Sequence, residues 1–255
     1  MDSYPRVLVG TDGSPDAVTA VQIGARIAAR SAVPLVVVHI GEHREEPDPG
    51  LPLAEAEAVA TAAGVDSLEA WALTGKAPDL LLSQANDDPD QLVVVGSAGL
   101  SKTTSRLVGS TSNRLAHHSL ADVLFARAPL PQSWNFVALT TDGSPTSLHA
   151  VRRGLRIAPS LGAAPRLVTA ARSQEAGNEI LDTAVAGLDL DQPIEREVLL
   201  DPQPADAVVN ASWKYELVVI GNRGMSGPSR LLGSVANKIT HELRTNLLLV
   251  NTTRS

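Results

Sequence analysis

The chain has 255 residues, no cysteine and a formal net charge of −7, so no disulfide framework, thiolate metal site or cysteine nucleophile is available. Its four lysines are scattered along an acidic chain, which leaves no basic surface for a phosphate backbone, and nucleic acid is not an expected partner. The longer apolar runs, such as 35–38 and 247–250, have strand length rather than the ~18 residues a membrane span needs; residues 1–10 lack a signal-peptide layout, and the expectation is a cytoplasmic protein with no membrane partner.

Short β-branched runs alternate with longer stretches of helical period, the pattern of βαβ units around a parallel sheet. The first strand is expected near 6–11, and a helix follows it at Ser14-Pro15-Asp16, where serine caps free N–H groups and proline sits in the first turn without needing a donor. Further strands are expected near 35–40, 67–73, 91–96 and 122–127. Residues 128–134, APLPQSW, carry two prolines and no period and read as a linker. Beyond it the same series returns, with strands near 135–141, 166–171, 194–200, 216–221 and 246–251 and a second helix start at Ser144-Pro145.

The return is a sequence repeat as well. VLVGTDGSP at 7–15 reappears as VALTTDGSP at 137–145, and Ala20, Val21, Gly24, Arg26, Ile27 and Ala28 reappear as Ala150, Val151, Gly154, Arg156, Ile157 and Ala158. QLVVVGSAGLS at 91–101 reappears as ELVVIGNRGMS at 216–226, followed by Gly109/Gly233, Ser110/Ser234 and Asn113/Asn237. Two domains are therefore expected, at 1–130 and 133–255.

In an open parallel sheet, ligands sit beyond the carboxyl ends of the strands where the strand order reverses. Both marked segments follow strands. The first ends in Thr11-Asp12-Gly13-Ser14; the second reads Gly96-Ser97-Ala98-Gly99, nine residues, then Gly109-Ser110 and a helix to about His118. Glycines let backbone fold tightly against a ligand, and a helix N-terminus offers N–H groups to phosphate. Each glycine alone is equally well a turn, and Asp12 is equally well a local acceptor for its own turn; the joint spacing, present in both copies, points to a ligand.

The spacing G-x-x-G-x9-G-[ST], joined to a strand ending in Asp12-Gly-Ser, resembles the ATP-binding universal stress proteins, over nearly the whole chain and twice. The resemblance implies two Rossmann-like α/β domains, akin to adenine-nucleotide hydrolases, each with a five-stranded parallel sheet of order 3-2-1-4-5. It implies that Gly96, Gly99, Gly109, Ser110 and Thr111 hold phosphates and ribose, while Gly10, Thr11, Asp12, Ile40 and Val95 line the base and ribose pocket. The ligand would be ATP, ADP or AMP, with or without magnesium, and the role that of a stress or dormancy regulator. It further implies domains pairing through their fifth strands, 122–127 and 246–250, as a pseudo-dimer within one chain, with a homodimer as a further option.

The corresponding set in the second copy is Thr141, Asp142, Ala171, Ile220, Gly221, Gly224, Gly233, Ser234 and Val235. There the spacing between Gly224 and Gly233 is eight residues, and Pro228 lies within it. One residue shifts the last amides by up to ~3.5 Å, so the nucleotide is expected mainly in the first domain.

Three other readings compete. GSAGLSKT at 96–103 is one substitution from the G-x-x-x-x-G-K-[ST] phosphate loop, but it follows a late strand, and the repeat, GNRGMSGP, has no lysine. A slow ATP hydrolase shares the fold, yet TDGSP lacks a glycine-rich loop after the first strand, and no catalytic residue is identifiable. An interaction or scaffold module that has lost its nucleotide site suits the second copy better than the first. The six histidines show no metal-ligand spacing, and no metal site is expected.

Overall fold

The computed structural model describes residues 4–41, 50–98, 100, 111–188, 190, 192–222 and 232–253, the side chains of 50 and 51 excepted. The chain divides into two compact units, Met1–Pro131 and Gln132–Ser255.

In the first unit the elements run β1 (Val7–Thr11), α1 (Pro15–Ser31), β2 (Leu35–Gly41), α2 (Gly50–Ala62), β3 (Leu68–Thr74), α3 (Ala77–Asp87), β4 (Leu92–Gly96), α4 (Thr111–His118) and β5 (Asp122–Ala126). The second unit runs β6 (Phe136–Thr140), α5 (Pro145–Leu161), β7 (Ala164–Ala171), α6 (Gln174–Ala186), β8 (Glu195–Leu200), α7 (Pro204–Ala211), β9 (Leu217–Gly221), α8 (Ser234–Glu242) and β10 (Asn246–Val250). Every strand pair within each unit is parallel, and the spatial orders are β3-β2-β1-β4-β5 and β8-β7-β6-β9-β10. This is the 3-2-1-4-5 order that the family resemblance implies, twice.

The strand composition follows from the layering. Helices cover both faces of a parallel sheet, so interior strands are apolar throughout. Val7, Leu8 and Val9 are fully buried, as are Leu35 and Val37 beside them and Leu92, Val93 and Val94 on the other side. β3 lies at an edge and alternates between half-buried and exposed residues.

The helices that follow β1 and β6 begin and end alike. Ser14 accepts the Ala17 N–H and Ser144 the Ser147 N–H, each with proline behind it in the first turn. Each helix stops at a left-handed residue, Ala32 with φ 52° in one copy and Gly162 with φ 74° in the other. Gly24 and Gly154 let these helices lie close on the sheet: a Cβ on them would come within 2.5 Å of Val9 and 2.3 Å of Leu139.

Candidate functional site

The central strands set the place. β1 pairs with β2 up to Thr11↔His39, but its pairing with β4 stops at Val9↔Val94, although the two strands continue to Thr11 and Gly96. A crevice therefore opens between the ends of β1 and β4, the point at which the order of connections reverses.

On the β1 side, Thr11 is buried; its carbonyl accepts from His39 Nδ1 at 2.9 Å and its hydroxyl accepts the Gly13 N–H at 3.3 Å. A carbonyl can only accept, so Nδ1 is the donor in this contact. Asp12 is exposed, and its Oδ1 takes the Ser14 N–H at 2.9 Å. Beside Thr11 and Gly13, a shallow cleft of about 230 Å³ runs between Val18 and Val21 of α1 and Pro52, Ala56 and Val59 of α2, with Glu55 also lining it. Ile40 stands half-buried near the end of β2, paired to Leu73, and Val95 is buried in β4; neither lines that cleft.

On the β4 side, Gly96 is a packing position. A Cβ there would lie 2.9 Å from Asp16 Cβ and 3.0 Å from the Ala17 nitrogen, so its missing side chain makes room for the start of α1. Gly10 likewise faces Leu81 of α3, whose Cδ2 would be 2.8 Å from an added Cβ. The start of α4 is tied to the β4 exit: the Ser112 hydroxyl reaches the carbonyls of Gly96 at 2.7 Å and Ala98 at 3.1 Å. Thr111, the first residue of α4, therefore stands beside the crevice, while Gly99, Gly109 and Ser110 lie outside the described residues.

Sequence reasoning passed over Asp16. Its carboxylate accepts the Ser97 hydroxyl on Oδ2 at 2.8 Å and the Ala128 N–H on Oδ1 at 2.9 Å, joining the start of α1 to the exits of β4 and β5. The only sequence signal was an acid in a first helical turn, which favours any helix.

In the second unit, pairing of β6 with β9 stops at Leu139↔Val219, the equivalent point, so a crevice opens there too. It is lined differently. Thr140 stands where the first unit has Gly10, and its hydroxyl donates to the Val219 carbonyl at 2.9 Å. The Thr141 hydroxyl is shared with Ser147 Oγ at 2.8 Å and accepts the Gly143 N–H at 3.0 Å; Ser144 Oγ and Thr146 Oγ1 are 3.0 Å apart. Partial desolvation works to raise the pKa of Asp142, but the hydrogen bonds of Ser144 and Ser147 outweigh it and hold the carboxyl below its usual value. Ala171 and Ile220 are buried, and Gly221 packs against Thr252. Beyond the β9 exit, Gly233 precedes α8, donates its N–H to the Asn222 carbonyl at 3.0 Å, and supplies no side-chain cap to the helix that Ser234 and Val235 begin. Gly224 lies outside the described residues.

The comparisons with known proteins agree with this layout. The model of the Universal stress protein family matches residues 3–127 and again 137–251. The chain belongs to the universal stress protein family. It is a tandem member: a universal stress protein of Mycobacterium tuberculosis is 28% identical over 287 residues, covering 95% of both chains. A universal stress protein of Archaeoglobus fulgidus has the same fold at TM-score 0.70 and 15% identity, over 98% of this chain and 100% of its own. A universal stress protein solved in complex with cAMP is 36% identical over 49% of this chain and 98% of its own, at TM-score 0.44. Among the described residues, no group of three or more His, Asp and Glu side chains could hold a metal ion, and no helix is long and apolar enough to cross a membrane.

Proposed function

We propose that the first unit binds an adenine nucleotide, ATP, ADP or AMP, with or without magnesium, and that the protein acts in the cytoplasm as a stress or dormancy regulator of the universal stress protein family. The observation that carries this reading is the crevice at which β1 and β4 part, with Thr11 and Asp12 on one wall and the start of α4 on the other. The base would sit toward Thr11, Asp12, Ile40 and Val95. The phosphates would lie along Gly99, Gly109, Ser110 and Thr111, where main-chain N–H groups at a helix start favour anions. Gly10 and Gly96 support the site by close packing.

The nucleotide is held mainly by the first unit in this reading. Thr140, which replaces Gly10, gives its hydroxyl to the Val219 carbonyl, and the hydroxyls of Thr141 and Ser147 and of Ser144 and Thr146 pair with one another, so groups that would otherwise meet a ligand are engaged. That favours a scaffold role for the second unit, with Asp142, Gly221, Gly224, Gly233 and Ser234 as remnants of the shared site.

The test is direct. The purified chain is denatured, the released nucleotide identified and counted, and ATP, ADP, AMP and cAMP titrated by calorimetry into the refolded or stripped protein. About one adenine nucleotide per chain, abolished by Gly109→Glu, is the expected result. No bound nucleotide and no heat of binding from any of the four would overturn the reading. Turnover of about 1 per second or more would instead place the chain among enzymes.

A further inference from the structure

The two units face the same obligation and meet it with different residues. In both, the strand leaving the crevice pairs once more after its last regular position: the Ser97 N–H donates to the Ala126 carbonyl at 2.7 Å, and the Asn222 N–H donates to the Val250 carbonyl at 2.8 Å. Two residues beyond those carbonyls lie Ala128 and Thr252, whose N–H groups need an acceptor. In the first unit the acceptor is Asp16 of α1; in the second it is Asn222 itself, whose Oδ1 takes both the N–H and the hydroxyl of Thr252 at 3.0 Å. Thr146, which stands at the position of Asp16, turns to Ser144 instead.

The packing changed in step. The space a Cβ on Gly96 would enter is filled by Asp16 at 2.9 Å, whereas the space at Gly221 is filled by Thr252 Cγ2 at 2.9 Å. Asp16 and Ser97 were thus exchanged for Thr146 and Asn222 as a pair. Both arrangements close the strand exits, but they differ in one link: in the first unit Asp16 fastens the start of α1, and with it the Thr11–Asp12 wall, to the wall that carries the β4 exit, whereas Thr146 at the start of α5 bonds to Ser144.

We propose that Asp16 is the positioning residue of the first crevice, tying its two walls through the start of α1, and that the second unit closes its strand exits through Asn222 without drawing on Thr146. A ligand that touches both walls meets a site tied through the start of α1 in the first unit, whereas in the second the walls are tied within the strands, by the Thr140 hydroxyl on the Val219 carbonyl. The affinity part of this proposal rests on the nucleotide reading above; the clamp itself does not.

Two variants separate the functions of the clamp. Asp16→Thr copies Thr146 and removes the acceptor of the Ala128 N–H. Asp16→Thr with Ser97→Asn copies the Thr146 and Asn222 pair and offers Ala128 a new acceptor without restoring the tie to α1. Amide hydrogen exchange at Ala128 should accelerate about tenfold or more in Asp16→Thr and return to the wild-type rate in the double variant. Nucleotide affinity should fall about tenfold in Asp16→Thr, the weight of one hydrogen bond to a charged group, and stay low in the double variant. Asp16→Asn, which keeps an acceptor for Ala128 and a polar group for Ser97, should recover most of the affinity. Unchanged exchange at Ala128 in Asp16→Thr would overturn the clamp. Full recovery of affinity in the double variant would overturn its positioning role, because strand closure alone would then suffice. A wild-type chain that binds no nucleotide would remove the nucleotide reading while the exchange measurement still decides the clamp.

Discussion

Two of the glycines in the proposed site should respond unequally to a single methyl group. On Gly96, an added Cβ lies 2.9 Å from Asp16 Cβ, 3.0 Å from the Ala17 nitrogen and 3.0 Å from the Asp16 carbonyl carbon. Those atoms belong to the backbone of a capped helix start, which no rotamer change can move aside. Overpacking of this kind costs about 1–3 kcal/mol, and a backbone obstacle places Gly96→Ala near the middle, about 2 kcal/mol. On Gly10 the nearest atom is Leu81 Cδ2 at 2.8 Å, the far end of a flexible side chain. Moving it off its rotamer costs about 0.5–1.5 kcal/mol, against a gain of about 0.4–1 kcal/mol from a less flexible unfolded chain, so Gly10→Ala should be close to neutral. Urea unfolding checks this, read by Trp71 fluorescence after Trp134→Phe and Trp213→Phe, since Trp71 is then the only tryptophan and lies in the first unit. With a typical slope of about 2 kcal/mol per molar urea, Gly96→Ala should lower the midpoint by about 1 M and Gly10→Ala by little. Equal midpoints for the two variants would refute the packing role of Gly96 and leave ligand approach as the reason for its glycine.

Five further outcomes follow from single contacts. Ala32→Gly should raise stability by about 0.5–1 kcal/mol in thermal unfolding, because Ala32 holds φ 52° at a helix end where its counterpart is Gly162. Tyr4→Phe should cost about 1–3 kcal/mol by denaturant titration, since it removes a 2.6 Å hydrogen bond to the buried Asp122 carboxyl. Partial burial works to raise the Glu197 pKa, but Lys214, Tyr215 and Arg166 outweigh it; its folded value lies below the unfolded 4.5, so its stabilisation is present above that pH and lost as pH falls through the folded value, and Glu197→Gln should flatten the acid limb of a stability profile below about pH 4.5. Burial and Glu197 push the neighbouring Tyr215 upward from 10.0, so its contribution is present below that pH and lost as pH rises through the folded value, and Tyr215→Phe should flatten the alkaline limb instead. Arg114→Met, which breaks the exposed pair with Asp79 at 2.7 Å, should cost less than about 1 kcal/mol and nothing measurable in molar salt.

The fold was legible because its signals are local. Ser14-Pro15 and Ser144-Pro145 state a helix start within four residues, and both serines do cap as their positions require. The runs at 92–96 and 217–221 state a doubly covered strand within five. The repeat then says that the two units share one fold, while the strand order comes from the family resemblance. The site was less legible because its decisive contacts are remote. Asp16 reaches Ser97 across 81 residues and Ala128 across 112, and nothing near Asp16 in the chain announces either partner. Glycine spacing was ambiguous for another reason: a turn, a close helix–strand approach and a ligand cradle all call for the same missing Cβ. Gly96 and Gly10 turn out to pack against protein, a distinction that only the positions of Asp16 and Leu81 reveal.

The divergence of the two copies also has a physical order to it. Backbone N–H groups at Ala128 and Thr252 must be paired whether or not a ligand binds, so selection for folding alone preserves an acceptor there. An acceptor supplied from the neighbouring β9 exit, as by Asn222, satisfies that demand with one residue and no dependence on α5. An acceptor supplied from α1, as by Asp16, satisfies it while also constraining a helix start that folding does not require to be fastened there. The acceptor drawn from α1 is found in the unit with the nine-residue spacing from Gly99 to Gly109, and the acceptor drawn from the β9 exit in the unit with a spacing of eight. The cross-link and the intact loop thus travel together, as they should if both serve one ligand that bridges the crevice.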